Sequence, residues 1–205
     1  MATRGLLVRL QSKHGKDAEV EEFLRSALPL VQDEQATPAW FAVRFGRSEY
    51  GIVDFFPDDA GRDAHLAGPI AKALMGSVGT LFAETPQIRK LDVLAYKMPE
   101  TPVKEPDRKG LLLTFKAKSG HEHEVEQFLT DARELVLQEP HTTAWFAIRL
   151  DDGEYGIFDV FPDQGGRFHH LTGHVARGLV THALSLLGSL PDPELPEVLA
   201  EKLSA

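Results

Sequence analysis

TPAWFAVRFGRSEYGIVDFFPDDAGRDAHLAG runs from Thr37 to Gly68, and TTAWFAIRLDDGEYGIFDVFPDQGGRFHHLTG runs from Thr142 to Gly173. The two stretches align without a gap at an offset of 105 residues. Towards the N-terminus, GLLVRLQSKHGKDAEVEEFL from Gly5 matches GLLLTFKAKSGHEHEVEQFL from Gly110 at the same offset. Roughly 40 of about 94 paired positions are identical. A unit of this length exceeds the roughly 20–50 residues of stacked-array repeats, so a whole domain has been duplicated. Residues 1–98 form the first repeat and 110–205 the second. Residues 99–109 lie between them, and Pro99, Pro102 and Pro106 among alternating charges predict a stiff, solvated linker.

Each repeat reads as six elements. Leu6–Gln11 is a short apolar run of strand character, and Gly15 marks the turn after it. Ala18, Val20, Phe23, Leu24, Ala27, Leu28 and Val31 then recur at helical spacing. Pro29 should kink or end that helix, whereas the second repeat carries Glu134 there. Trp40–Phe45 and Glu49–Phe56 form a hairpin, and Asp152-Gly153 in the second repeat signals a type I′ turn. That turn pairs Arg44 with Gly51 and puts Trp40, Ala42, Arg44, Val53 and Phe55 on one face. Both faces are largely apolar, so both are expected to be covered. Asp58 is placed to cap a second helix reaching about Ala83, weakened by Gly68, Gly76 and Gly79. Arg89–Lys97 is a last strand, with a weaker counterpart at Val198–Leu203. The order β-α-β-β-α-β is the ferredoxin-like split motif. The fold class expected is α+β, two ferredoxin-like repeats packed sheet to sheet as an intramolecular dimeric α/β barrel.

Composition narrows the function. The net charge is −9, and no run rich in Lys or Arg offers the basic face that nucleic acid or anionic lipid requires. Cysteine is absent, which removes disulfides, thiolate metal sites and cysteine catalysis, and fits a reducing cytoplasm. The stretch Met1–Leu10 lacks the apolar length of a signal peptide, and no run approaches a membrane span. No glycine-rich phosphate loop follows a strand, so no nucleotide cofactor is expected.

A strand ending in Phe56-Pro57-Asp58 leads into a helix carrying Arg62-x-x-His65-Leu66, and Phe161-Pro162-Asp163 leads into Arg167-x-x-His170-Leu171. With Trp40 or Trp145 on the hairpin, each repeat resembles the antibiotic biosynthesis monooxygenase family nearly end to end. The resemblance implies a dimeric α/β barrel, built here within one chain, with a small-molecule pocket between sheet and helices in each unit. Some members of that family oxidise planar polycyclic phenols with dioxygen, using neither flavin nor metal, and relatives degrade haem. The resemblance therefore implies a cofactor-independent monooxygenase acting on a planar aromatic molecule, with no cofactor. This chain contains no asparagine, the amide such oxygenases often place near the tryptophan; Ala36 and His141 stand four residues before Trp40 and Trp145. A non-catalytic small-molecule-binding or scaffold protein of the same fold is the alternative, and haem binding through His65 or His170 the third. An intramolecular pseudo-dimer is expected, with a further homodimer compatible with the sequence.

The candidate residues each admit two readings. His65 and His170 are the one histidine pair shared by the repeats, either a general base or an anchor of helix against sheet. Trp40 and Trp145 form a flat ligand wall or fill the core. Arg44 and Arg149 interrupt apolar strands, either to stabilise a developing oxyanion or to pair with Asp or Glu. Asp54 and Asp159 orient the histidines or satisfy backbone donors at the helix start. Tyr50 and Tyr155 pack or offer a hydroxyl to a phenolic ligand. His170, His174 and His182 form a stripe on one helix face, but the first repeat has Pro69 and Ser77 in place of the last two, so no metal site is assigned. His121-x-His123 opens a helix and is expected to be solvated.

Overall fold

The computed structural model describes residues 1–100, 108–150 and 153–203. The predicted linker therefore falls largely outside the described residues, and so does Asp152 of the predicted turn. The first repeat runs β1 (Arg4–Gln11), α1 (Asp17–Ser26), α2 (Leu28–Gln32), β2 (Ala39–Gly46), β3 (Glu49–Phe56), α3 (Asp59–Leu66), α4 (Pro69–Gly76) and β4 (Gln87–Lys97). The second runs β5 (Lys109–Lys116), α5 (Glu122–Leu137), β6 (Ala144–Arg149), β7 (Glu154–Phe161), α6 (Gln164–Leu171), α7 (His174–Leu186), β8 (Asp192–Glu194) and β9 (Glu197–Leu203). The chain is thus α+β, with the ferredoxin-like order in both repeats.

Local chemistry sets the breaks. Pro29 enters at the first turn of α2, where its missing N–H leaves no bond unmade, and the helix divides there. The second repeat, with Glu134, keeps α5 in one piece. The predicted second helix divides at Gly68, which caps α4 ahead of Pro69. Asp58 and Asp163 cap α3 and α6, each carboxylate accepting a hydrogen bond from the backbone N–H three residues on, at 2.8 Å. Such a cap stabilises a helix by about 1 kcal/mol.

The hairpin register differs from expectation by one residue. Arg44 lies opposite Tyr50, and Trp40 opposite Asp54, because β2 carries a bulge between Arg44 and Gly46. In the second repeat the Leu150 N–H donates to the carbonyl of Glu154, Gly153 takes a φ of 69°, and Trp145 lies opposite Asp159, the same register. A one-residue change in strand pairing exchanges the two faces. Trp40 and Ala42 consequently share a core with Tyr50, Ile52 and Phe56, together with Val20, Leu24, Val31, Ile70 and Leu74 from the helices. Phe41, Val43, Val53 and Phe55 form the opposite face, and that face is fully buried too.

Two compact units result, and neither coincides with a repeat. One comprises Met1–Leu91 with Glu197–Ala205, the other Asp92–Pro196. In the first unit β3 lies between β1 and β2, and β9 from the second repeat pairs antiparallel with the outer edge of β2. In the second unit β7 lies between β5 and β6, and residues 92–97 of β4 pair with β6. Each repeat's final strand therefore completes the unit built on the other.

Candidate functional site

Polar groups in the core define the site. In the first unit Asp54 of β3 and His65 of α3 are buried, and His65 Nε2 lies 3.2 Å from Asp54 Oδ2. On the other side of the ring, Nδ1 is 2.7 Å from Glu34 Oε2, in the segment between α2 and β2. Glu34 Oε2 also accepts a hydrogen bond from Thr37 Oγ1 at 2.7 Å. Lys202, on the exchanged strand β9, donates its ammonium to the carbonyl oxygens of Glu34 at 2.6 Å and Val31 at 2.8 Å. That cation meets the carbonyl end of α2, where a positive charge is favourable.

The second unit repeats every part. His170 Nδ1 is 2.7 Å from Glu139 Oε2, which also accepts from Thr142 Oγ1 at 2.7 Å. His170 Nε2 lies 3.7 Å from Asp159 Oδ2. Lys97 of β4 donates to the carbonyls of Glu139 at 2.6 Å and Val136 at 2.9 Å.

Electrostatics makes the imidazole a cation. Burial alone would push the His65 pKa down, but Asp54 and Glu34 together outweigh it and hold it at about 9. His170 is raised for the same reason, against the same burial. Nδ1 of each ring is committed to a glutamate at 2.7 Å, while Nε2 faces an aspartate as an ion-pair contact, at 3.2 Å in the first unit and 3.7 Å in the second. Burial pushes the Asp54 carboxyl up, and takes Asp159 up to about 7, while the neighbouring imidazolium pulls each back. A free general base needs an open nitrogen lone pair. Nδ1 offers none in either unit, and Nε2 is shielded by the buried aspartate without an aligned hydrogen bond to it.

The other candidates are dispersed. The structure places Arg44 at the surface, held by Glu21 of α1 at 2.9 Å, and Arg149 there on Glu126 at 2.9 Å and Asp92 at 2.7 Å. The expectation that these guanidinium groups are buried is corrected: each shares the face of its tryptophan but lies towards the hairpin end of the strand, beyond the core, where a helix glutamate takes it up. The expectation of a carboxylate partner describes them better than that of an oxyanion site. Tyr50 donates to Asp17 at 3.2 Å and Tyr155 to Glu126 at 3.1 Å; burial and the adjacent carboxylate push both phenols up to about 12. Trp40 and Trp145 are wholly buried, and neither indole N–H has a hydrogen-bond partner among the described residues. Both oxygens of Asp54, directly across the strand pair from Trp40, lack hydrogen-bond geometry as well, and so do those of Asp159 across from Trp145.

Glu34, Thr37 and Lys202, with Glu139, Thr142 and Lys97, were not among the sequence candidates. A signal was present: Glu-x-x-Thr-x-x-Trp occurs at Glu34–Trp40 and again at Glu139–Trp145. Arg62 and Arg167 are also buried and tie their helices to the sheet, Arg62 to the Leu91 carbonyl and Arg167 to that of Gly110. A cavity of about 210 Å³ opens beside the second cluster, lined by Glu139, His141, His169, His170 and His174 among others. The side chain of His182 lies outside the described residues. Among the described residues no group of three or more His, Asp or Glu has the spacing to hold a metal ion. No helix among the described residues is long and apolar enough to cross a membrane.

No protein-family model and no curated protein matches the sequence. Solved structures do. A "putative monooxygenase" from Fusobacterium nucleatum superposes with a TM-score of 0.86 at 13% identity, over 98% of this chain and 94% of its own. Another, from Lactobacillus acidophilus, gives 0.82 at 11% identity over 100% and 98%. A ferredoxin-fold protein related to antibiotic biosynthesis monooxygenases, from Listeria monocytogenes, gives 0.55 at 4% over 97% and 95%. Identities this low speak to architecture, and in architecture the chain shares the ferredoxin-like fold of these proteins.

Proposed function

We propose that this monooxygenase-like chain binds a planar phenolic small molecule at the buried tryptophan–aspartate pair of each unit, and that His65 and His170 serve there as fixed cations rather than as bases. The carrying observation is the orphaned polarity. Trp40 Nε1 is a buried donor without an acceptor, and the Asp54 oxygens opposite are buried acceptors without an aligned donor. Leaving such groups unmade costs about 1–3 kcal/mol each. One hydroxyl answers both, donating to the carboxylate and accepting from the indole, with a flat ring favoured against tryptophan. The pattern recurs at Trp145 and Asp159.

A second reading, cofactor-independent oxygenation of that ligand, is favoured by Asp159, whose carboxyl burial lifts to about 7. A carboxylate near neutrality is matched to taking a phenolic proton, after which the electron-rich carbanion would reduce dioxygen. Arg44 and Arg149, held at the surface, have no part in this reading.

An anthrone-type phenol tests both. Metal-free protein should quench its tryptophan fluorescence saturably on titration, and Asp54→Leu with Asp159→Leu should abolish the effect. Absence of binding to the wild type rejects the proposal. Oxygen uptake that survives His65→Gln with His170→Gln but not the aspartate changes establishes the second reading. Uptake lost with the histidines alone would restore them as bases and overturn the assignment made here.

A further inference from the structure

The two units keep the same buried cluster but differ at its mouth. In the second unit the cavity beside His170 is lined by His141, His169 and His174. The equivalent positions in the first repeat are Ala36, Ala64 and Pro69, which carry no polar side-chain atom. Three histidines have thus been gained or lost at one cleft while Glu34/Glu139, Thr37/Thr142, Asp54/Asp159 and His65/His170 stayed the same.

We propose that this cleft is a separate binding site, confined to the second unit, for a small single-ring aromatic carboxylate. The site goes beyond the buried phenol site above and does not depend on it. Three features select that chemistry. The volume of about 210 Å³ lies below the roughly 300–1,000 Å³ of pockets for drug-sized molecules, which suits one ring and a short polar group. The rings of His141 and His169, both in the lining, are stacked on each other with centroids 5.2 Å apart and planes 20° from parallel, a flat pair beside which an aromatic ring can pack. Imidazole N–H groups supply donors to a carboxylate.

Charge agrees with an anion. The one carboxylate in the lining, Glu139, is already engaged by His170 at 2.7 Å and by Thr142 at 2.7 Å. The ammonium of Lys97 rests on the backbone carbonyl of the same Glu139 at 2.6 Å. The one acid of the wall is therefore occupied, with Lys97 behind it and outside the lining, within a chain whose net charge is −9. A divalent cation is the competing occupant, but the described histidines and carboxylates lack its spacing.

Salicylate is the probe. Ring signals of the nine histidines can be followed by NMR during its titration, with zinc chloride in a parallel sample. The expected result is saturable movement of the His141, His169 and His174 signals, with His14, His121 and His123 unmoved. His141→Ala with His169→Ala, both at the mouth, should weaken salicylate by at least about tenfold, roughly 1.4 kcal/mol. Benzyl alcohol, which keeps the ring and loses the charge, should bind more weakly by a similar factor. No shift, uniform shifts across the surface histidines, or unchanged affinity in the double variant would overturn the site. Stoichiometric zinc binding at these three signals, with salicylate inert, would replace the anion with a metal and equally overturn it. The indole signals of Trp40 and Trp145 report the buried site separately, so the two proposals fail independently.

Discussion

The two units hold the same five polar residues at different tension. In the first, His65 Nε2 stands 3.2 Å from Asp54; in the second, His170 Nε2 stands 3.7 Å from Asp159, and Thr142 also approaches His170 Nδ1 at 3.4 Å. In both units burial lifts the aspartate carboxyl and the flanking carboxylates raise the imidazole. The looser contact lies in the unit whose cluster reaches an open, histidine-lined cleft.

Removing the imidazole should give the largest effect. His65→Ala leaves Asp54 and Glu34 facing each other in the core, and breaking a buried charge pair costs about 3–5 kcal/mol. His170→Ala should cost less, because its Asp159 contact is longer. Urea denaturation of the two variants ranks them; the reverse ranking would break the comparison.

A pH dependence comes next. The folded pKa of His65 lies above its unfolded value of about 6.5, so its contribution is complete below that pH and is lost as pH rises through about 9. The first unit should lose on the order of 3 kcal/mol over that window. Asp159 is also raised, so its contribution is present below about 4 and fades as pH rises through about 7. Denaturation midpoints at successive pH values should fall across both windows, and His65→Ala should flatten the alkaline one. A midpoint that climbs above pH 7 contradicts the sign.

Lys202→Met and Lys97→Met sharpen the exchange of strands. Each removes hydrogen bonds from an ammonium to helix-end carbonyls, at about 1.5–3 kcal/mol. Hydrogen exchange should show the loss in the opposite repeat, near Val31 for Lys202 and near Val136 for Lys97. Loss confined to the mutated repeat's own helices would contradict the exchange. The smallest effect belongs to the helix caps. Asp58→Ala and Asp163→Ala should each cost about 1 kcal/mol and should be equal, since the two caps share one geometry.

Much of this architecture is written locally in the sequence. The 105-residue offset, the break at Pro29 and the caps at Asp58 and Asp163 depend on residues close in the chain. The register did not follow, because the bulge beside Phe45 adds one residue that no turn motif in the first repeat announces. That single residue brought Trp40 and Asp54 to one face, with Arg44 exposed towards the hairpin end of the same strand. His65 and Asp54 were legible as partners, since each repeat carries both. Glu34 and Thr37 were not, for a polar segment between helix and strand reads as a solvated loop. Lys97 and Lys202 were least legible, because nothing along either strand says which repeat it will join.

The central claim is that each shared histidine is a buried cation clasped by two carboxylates. Ring nitrogen shifts of His65 and His170, followed by NMR from pH 5 to 10, test it directly. His65 should be imidazolium at pH 7 and deprotonate near 9, and His170 should titrate above the ordinary histidine value. A neutral ring at pH 7, titrating near the ordinary value of about 6.5, would contradict it and return both residues to the role of base.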